Sequence, residues 1–275
     1  SIASGVCSAM PRFEVTSLDD PRLEPFRSLK DTNRTRWQSL FVAEGEKLVQ
    51  RLLESDFPVV SVLADRQHEE RLASWLRPEL DLLIVDDPLV SAIVGFNFHR
   101  GVLACGRRKL HPTLDQIAAP LDRRLTLVVC PDVQDPENLG TIARTSLALG
   151  VDALLLGPNC GDAFSRRVLR VSMGAVLRLP IRRCEDLSAE LCELRTRWQL
   201  QLAATVLDPR AEPLTEFERP LRFALLLGNE GHGLDADVVA ACDRRLTIPM
   251  PAGADSLNVS VAAGIFLYQL ARRNG

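Results

Sequence analysis

Nowhere in the 275-residue chain is there a run of about 18 uncharged apolar residues, so no membrane-spanning helix is expected. The N-terminal SIASGVCSAM has no basic stretch ahead of an apolar core, which argues against a signal peptide; residues 1–22 read as a disordered leader. The seven cysteines form no CxxC pair and the four histidines do not cluster with them. No metal site is therefore expected, and the thiols fit a reduced, cytoplasmic protein. There is no excess of positive charge either: 33 basic residues face 36 acidic ones, a net charge of −3 that does not announce a nucleic-acid binder. A Walker A lysine pattern, a GxSxG elbow with a partner histidine and a GxGxxG turn after a first strand are all missing. Nucleotide-phosphate, acyl-transfer and dinucleotide sites lose their usual sequence support accordingly. No internal repeat and no low-complexity tract occurs.

What is present is an ordinary globular composition, 46% hydrophobic and 25% charged, in a chain long enough for two domains. Residues 23–110 read as a small α/β unit. FVAEGEKLVQRLLES passes from a short strand into an amphipathic helix, and VVSVLAD, LDLLIVD and GVLACGR are further strands. The prolines and charges of residues 111–124 mark a linker. From 125 to 275 short, uninterrupted apolar strands (LTLVVC, DALLLG, LRLPI, LQLAATVL, RFALLLG, RLTIPM) alternate with helices. That pattern predicts an α/β domain with a mostly parallel sheet covered on both faces. Basic residues gather in three places: Arg27 to Arg36, Arg100 to Lys109, and Arg166 to Arg183. Each is either a solvated face or a stripe that holds a phosphate backbone.

In such a sheet, ligands bind beyond the carboxyl ends of the strands. Three strand-to-helix junctions there share an unusual composition of glycine, proline and uncharged polar residues: CPDVQDPENLGTIARTS (130–146), LLLGNEGHGLD (225–235) and IPMPAGADSLNVS (248–260). Singly, each has an ordinary explanation. Asn138 could cap one helix, Ser256 and Asn258 another, and Gly228, Gly231 and Gly233 could make a tight turn. Three in one domain exceed what capping needs. Arg144 lies off the apolar stripe of Leu139, Ile142, Ala143, Ser146 and Leu147, in position to reach an anion beside the helix mouth. His232 reads as a turn residue rather than a base.

PENLGTIARTSLALGVDALLL, LLLGNEGHGL and IPMPAGADSLNVSVAAGI, in that order and spacing, resemble the three signature motifs of the SpoU-type RNA 2′-O-ribose methyltransferases of the SPOUT superfamily. More loosely, SLKDTNRTRWQSLFVAEGEKLV resembles the opening of the small ribosomal-protein-like RNA-binding domain that such enzymes often carry. The resemblance implies a C-terminal trefoil knot, S-adenosylmethionine as methyl donor, a ribose 2′-hydroxyl of rRNA or tRNA as acceptor, and a homodimer without a metal. It implies that Leu227, Gly228, Ile248, Met250 and Leu257, with Thr205, hold the cofactor largely through backbone groups. The catalytic set it implies is Arg144, Asn138, Glu230, Ser256 and Asn258. Glu230 would hydrogen-bond the loop carrying Asn138 or Arg144, and Ser256 and Asn258 would cap the last helix while shaping the pocket. Ala252 stands where the family often has glycine, which stiffens that loop. Two other readings use the same cleft: a noncatalytic RNA-binding or ribosome-assembly protein that retains the fold, and a small-molecule α/β enzyme.

Overall fold

A computed structural model describes residues 11–27, 39–94, 101–251 and 256–272. The chain forms two compact units, residues 1–109 with 164–170, and residues 110–163 with 171–275.

The first unit is built on a five-stranded sheet. Its elements are β1 (Arg12–Val15), β2 (Leu40–Glu44), α1 (Glu46–Leu53), β3 (Val59–Ala64), α2 (Glu69–Ala73), β4 (Asp81–Val85), α3 (Asp87–Val94) and β5 (Val102–Arg107). The order is β1-β4-β3-β5-β2; β4 runs parallel to β1 and β3, and β5 runs antiparallel to β3 and β2. Its first strand corrects the expected leader. Arg12 to Val15 pair with Leu82 to Val85, Val15 is buried, and a 3-10 turn over Pro21–Phe26 buries Leu23 and Phe26 completely. Four residues are too few for their alternation to register in sequence, and the charged Arg12 and Glu14, which pair with each other at 3.0 Å, hide the strand further. Residues 164–170 group with this unit rather than with the second half of the chain: the Phe164 ring lies 5.3 Å from Phe41 and 5.4 Å from Phe57, and Arg166 Nη2 meets Glu44 Oε2 at 2.6 Å.

The second unit carries α4 (Leu114–Ala118), β6 (Leu125–Cys130), α5 (Pro136–Ala148), β7 (Ala153–Leu156), α6 (Arg166–Val171, shared with the first unit), β8 (Ile181–Arg183), α7 (Leu187–Thr196), β9 (Gln201–Thr205), β10 (Glu212–Pro213), β11 (Arg222–Leu226), α8 (Ala236–Ala240), β12 (Arg244–Thr247) and α9 (Val259–Arg272). Its seven strands follow the order β10-β12-β9-β11-β6-β7-β8, and every pairing is parallel. The central strands are mainly apolar, as expected when helices cover both faces; Leu127, Val129, Leu202, Ala224 and Leu226 are fully buried. Two local readings change. Residues 111–124, expected as a linker, hold α4, capped by Thr113 and Gln116 in a reciprocal box. Leu114, Ile117 and Ala118 pack into the same core as β6 and β11. LRLPI is not a strand until its last residue: residues 175–177 form a 3-10 turn, and Pro180, which has no N–H to give a ladder, precedes β8.

Residues 252–255, Ala252 among them, lie outside the described residues. Among the described residues no helix is long and apolar enough to cross a membrane.

Candidate active site

The carboxyl ends of β9, β11 and β12 lead into three loops that, with the mouths of α5 and α9, enclose a cleft of about 880 Å³. Glycine and backbone make up much of its wall. A Cβ on Gly228 would stand 2.6 Å from the carbonyl carbon of Gly233, so no side chain fits there. The loop is pinched shut by paired backbone bonds between Asn229 and Gly233 (2.8 and 3.1 Å), and Gly233 takes φ +75°, a conformation that favours glycine. The Asn229 side chain anchors the pinch: its Nδ2 donates to Asp132 O and Oδ2 (2.9 and 3.1 Å), and its Oδ1 accepts from Gly231 N (2.7 Å).

Asn138 does not cap α5. Asp135 does, accepting from Glu137 N at 2.7 Å with Pro136 at the first helical position. That frees the Asn138 amide, which is only 7% exposed, for tertiary bonds. Its Nδ2 donates to Glu230 Oε1 (3.1 Å), and its Oδ1 accepts from Asn258 Nδ2 (2.9 Å). Glu230 Oε1 also accepts from Asp135 N (3.3 Å). Asn258 is the cap of α9: its Oδ1 accepts from Ser260 N (2.9 Å), Ser260 Oγ (2.7 Å) and Val261 N (3.4 Å). Ser256 makes no such cap bond among the described residues. It lines the cleft two residues earlier, so the two expected caps reduce to one.

Of the other residues expected at the site, Thr205, Gly228, Ile248, Met250 and Leu257 line the cleft. Thr205 Oγ1 is turned to Leu226 O (2.9 Å) and ties β9 to β11. Leu227 is fully buried just behind the wall, its N–H donating to Val129 O at 2.9 Å. Arg144 is exposed on the third turn of α5 and does not line the cleft.

Sequence reasoning passed over three contributors. Asp135 was signalled by the Asp-Pro pair that opens a helix. The Asp132–Asn229 clamp joins residues 97 apart and has no local signal. His232 lies on the cleft wall between Asp132 Oδ2 (3.4 Å) and Asp235 Oδ1 (3.6 Å). Burial pushes the Cys130 thiol at the end of β6 well up and that of Cys160, in the loop after β7, to about 11, which argues against either as a nucleophile. Among the described residues no group of three or more His, Cys, Asp or Glu could hold a metal ion.

The basic clusters are partly spent on structure. Arg182 forms a two-pronged pair with Glu190 (2.7 and 2.9 Å), and Arg183 donates to the carbonyls of Pro158 and Cys160. Arg166 to Arg170 group with the first unit. The stretch 166–183 is therefore not one RNA-facing stripe of the second half. Lys30, Arg34, Arg36 and Arg100 lie outside the described residues.

Known proteins resemble this chain in sequence and in fold. The model of the SpoU rRNA Methylase family matches residues 125–268. A Mycobacterium tuberculosis protein named as an uncharacterized tRNA/rRNA methyltransferase is 36% identical over 269 residues, 94% of this chain and 91% of the relative. The 23S rRNA (guanosine(2553)-2'-O)-methyltransferase RlmP of Bacillus subtilis is 31% identical over 257 residues, 94% of this chain and 98% of the relative. The AdoMet-bound rRNA methyltransferase from Sinorhizobium meliloti superposes with a TM-score of 0.81 at 29% identity, over 96% of this chain and 99% of that one. The chain belongs to the SpoU rRNA Methylase family and is an RNA methyltransferase.

Proposed function

We propose that this protein transfers a methyl group from S-adenosylmethionine to a ribose 2′-hydroxyl of rRNA or tRNA. The observation that carries the reading is the cleft itself: backbone-rich loops after β9, β11 and β12 face the hydrogen-bonded chain Asn258–Asn138–Glu230. Its volume, about 880 Å³, suits a ligand of nucleoside size. The cradle at Gly228, which a Cβ would fill, lets backbone come close to a flat ring. Thr205, Leu227, Gly228, Ile248, Met250 and Leu257 would hold S-adenosylmethionine, mostly through main-chain groups. Once bound, that cofactor supplies an electrophilic methyl on a positively charged sulfur.

The protein's own part is to fix the geometry and manage charge. Glu230 holds the Asn138 amide in one orientation, and Asn138 holds Asn258 at the mouth of α9, so the mouths of the two helices and the loop after β11 are fixed to one another. Ser256 shapes the wall beside them. A guanidinium makes a poor base, so Arg144 is not the group that takes the ribose proton. Its role is to hold a phosphate next to the acceptor ribose and to stabilise the charge growing on the 2′-oxygen. The ribose proton leaves to phosphate or water.

Residues 23–110 serve as the RNA-substrate domain. Two chains pair through α9, where Val261, Ile265 and Tyr268 are exposed on one face at helical spacing. The relative that spans both chains almost completely and is named for 23S rRNA makes ribosomal RNA the first substrate to test, and with it a cytoplasmic place of work. Incubation of the full chain with methyl-tritiated S-adenosylmethionine and ribosomal or transfer RNA tests the proposal: label in RNA supports it, and its absence from every RNA favours the noncatalytic reading.

A further inference from the structure

At the end of the second sheet remote from the cleft, Arg124 and Arg219 stand just before β6 and β11. With Thr126, Leu149, Leu267 and Leu270 they line a second pocket of about 190 Å³. The neighbouring arginines are already satisfied. Arg123 Nη1 meets Asp152 Oδ1 at 3.0 Å, and Arg222 donates to the carbonyls of Trp198, Pro120, Leu121, Arg123 and Ala118. Arg219, like Arg222, donates only to neutral oxygens, Pro220 O (2.7 Å), Leu125 O (3.1 Å) and Thr126 Oγ1 (2.5 Å), but unlike Arg222 it lines the pocket. Arg124 has no carboxylate partner among the described residues, and no carboxylate lines the pocket. Two guanidiniums therefore share one pocket uncompensated. Burial first, and the field of Arg124 second, push the Arg219 guanidinium down to about 10; Asp152 opposes this, but its carboxylate already bonds Arg123 and Thr126 N.

We propose that Arg124 and Arg219 form a phosphate-binding pocket, distinct from the cleft, that takes a phosphate group of an RNA backbone or free phosphate. Paired guanidinium forks match the spread oxygens of a phosphate, and the negative charge of a bound phosphate offsets the mutual repulsion that the bare pair suffers. Thr126 adds a hydroxyl, and the leucines thin the water that would screen the contact. The pocket and the cleft lie at opposite ends of strands of five or six residues, a separation of about 17–20 Å. One RNA strand touching both would have to span several nucleotides.

The test compares the full-length wild type with the Arg124→Gln, Arg219→Gln double variant, and with Arg124→Gln alone, a change at an exposed side chain that keeps the Arg219 bonds intact should the double variant fail to fold. Melting is followed in sodium phosphate and in sodium chloride at equal ionic strength. The wild type gains about 3 °C more in phosphate than either variant, once phosphate is tenfold above its dissociation constant. In a second arm, binding of a single-stranded RNA oligonucleotide is measured against salt. A log–log slope shallower by about 0.7 or more in the variants assigns the pocket to an RNA phosphate. An unchanged slope with the phosphate-specific gain present assigns it to free phosphate. Equal gains in phosphate for wild type and variants overturn the proposal.

Discussion

Asn258 Nδ2 donates to Asn138 Oδ1 at 2.9 Å, joining the mouths of two helices that lie 120 residues apart in sequence. The same Asn138 donates onward to Glu230, so a single amide on α5 ties together the loop after β11 and the mouth of α9. An amide is suited to this because it gives with one atom and accepts with the other, and neither a carboxylate nor an alcohol of the same length does both at these two positions.

Asn138→Asp is predicted to be worse than Asn138→Ala. The aspartate would set a second carboxylate oxygen against Glu230 Oε1, where the wild type has a donor at 3.1 Å. Methyl transfer should fall about tenfold or more in the alanine variant, a loss of one or two bonds to polar partners, and further in the aspartate variant. Adding Glu230→Gln to Asn138→Asp restores a donor–acceptor pair and should recover part of the activity. A double-mutant cycle on kcat/KM measures the coupling, and strict additivity would show that the two side chains act independently.

Gly228→Ala is predicted to cost both stability and cofactor affinity. Its new Cβ would fall 2.6 Å from the Gly233 carbonyl carbon, a backbone atom that cannot swing aside, so the loop must shift. A destabilisation of about 1–3 kcal/mol is expected from overpacking, with calorimetric affinity for S-adenosylmethionine reduced at least tenfold. Wild-type affinity in a folded Gly228→Ala protein would mean that this turn does not hold the cofactor.

Arg144→Ala should separate binding from chemistry. The side chain is exposed and does not line the cleft, so its removal should change stability by less than about 0.5 kcal/mol and leave cofactor binding intact. Methyl transfer should fall by about 10² or more, as when a partner of transition-state charge is lost. If calorimetry finds cofactor binding abolished, the role given to Arg144 is wrong.

Val261→Asp with Ile265→Asp is predicted to give a monomer. Both residues are exposed on the same face of α9, one turn apart, while the opposite face buries Ala263, Phe266, Leu267 and Leu270. Light scattering at micromolar concentration should report a dimer for the wild type and half that mass for the variant; a wild-type monomer would remove α9 as an interface.

The continuous apolar strands of the second unit were legible because burial on both faces leaves no polar alternation to confuse them, as in LTLVVC and RFALLLG. Short elements were not. The four residues of β1 and the three of β8 are stabilised by their neighbours in the sheet rather than by any pattern of their own. The helix α4 was legible in principle, since Thr113 and Gln116 have capping-box spacing, but Pro112 and Pro120 on either side made the stretch look like a linker. At the site, the resemblance to three family motifs was enough to gather Asn138, Glu230 and Asn258. Asp135's cap was legible in the Asp-Pro pair; what the sequence could not tell was that Asp132 clamps Asn229, because that depends on β6 and β11 lying side by side.

The most direct measurement is the chemical identity of the product. RNA methylated by the full chain with labelled S-adenosylmethionine is digested to nucleosides, and the labelled species is identified by chromatography and mass spectrometry. A 2′-O-methylated nucleoside, formed by the wild type and lost in Arg144→Ala, is the predicted result. Label on a base, or no label in any RNA while S-adenosylmethionine binds normally, would contradict it.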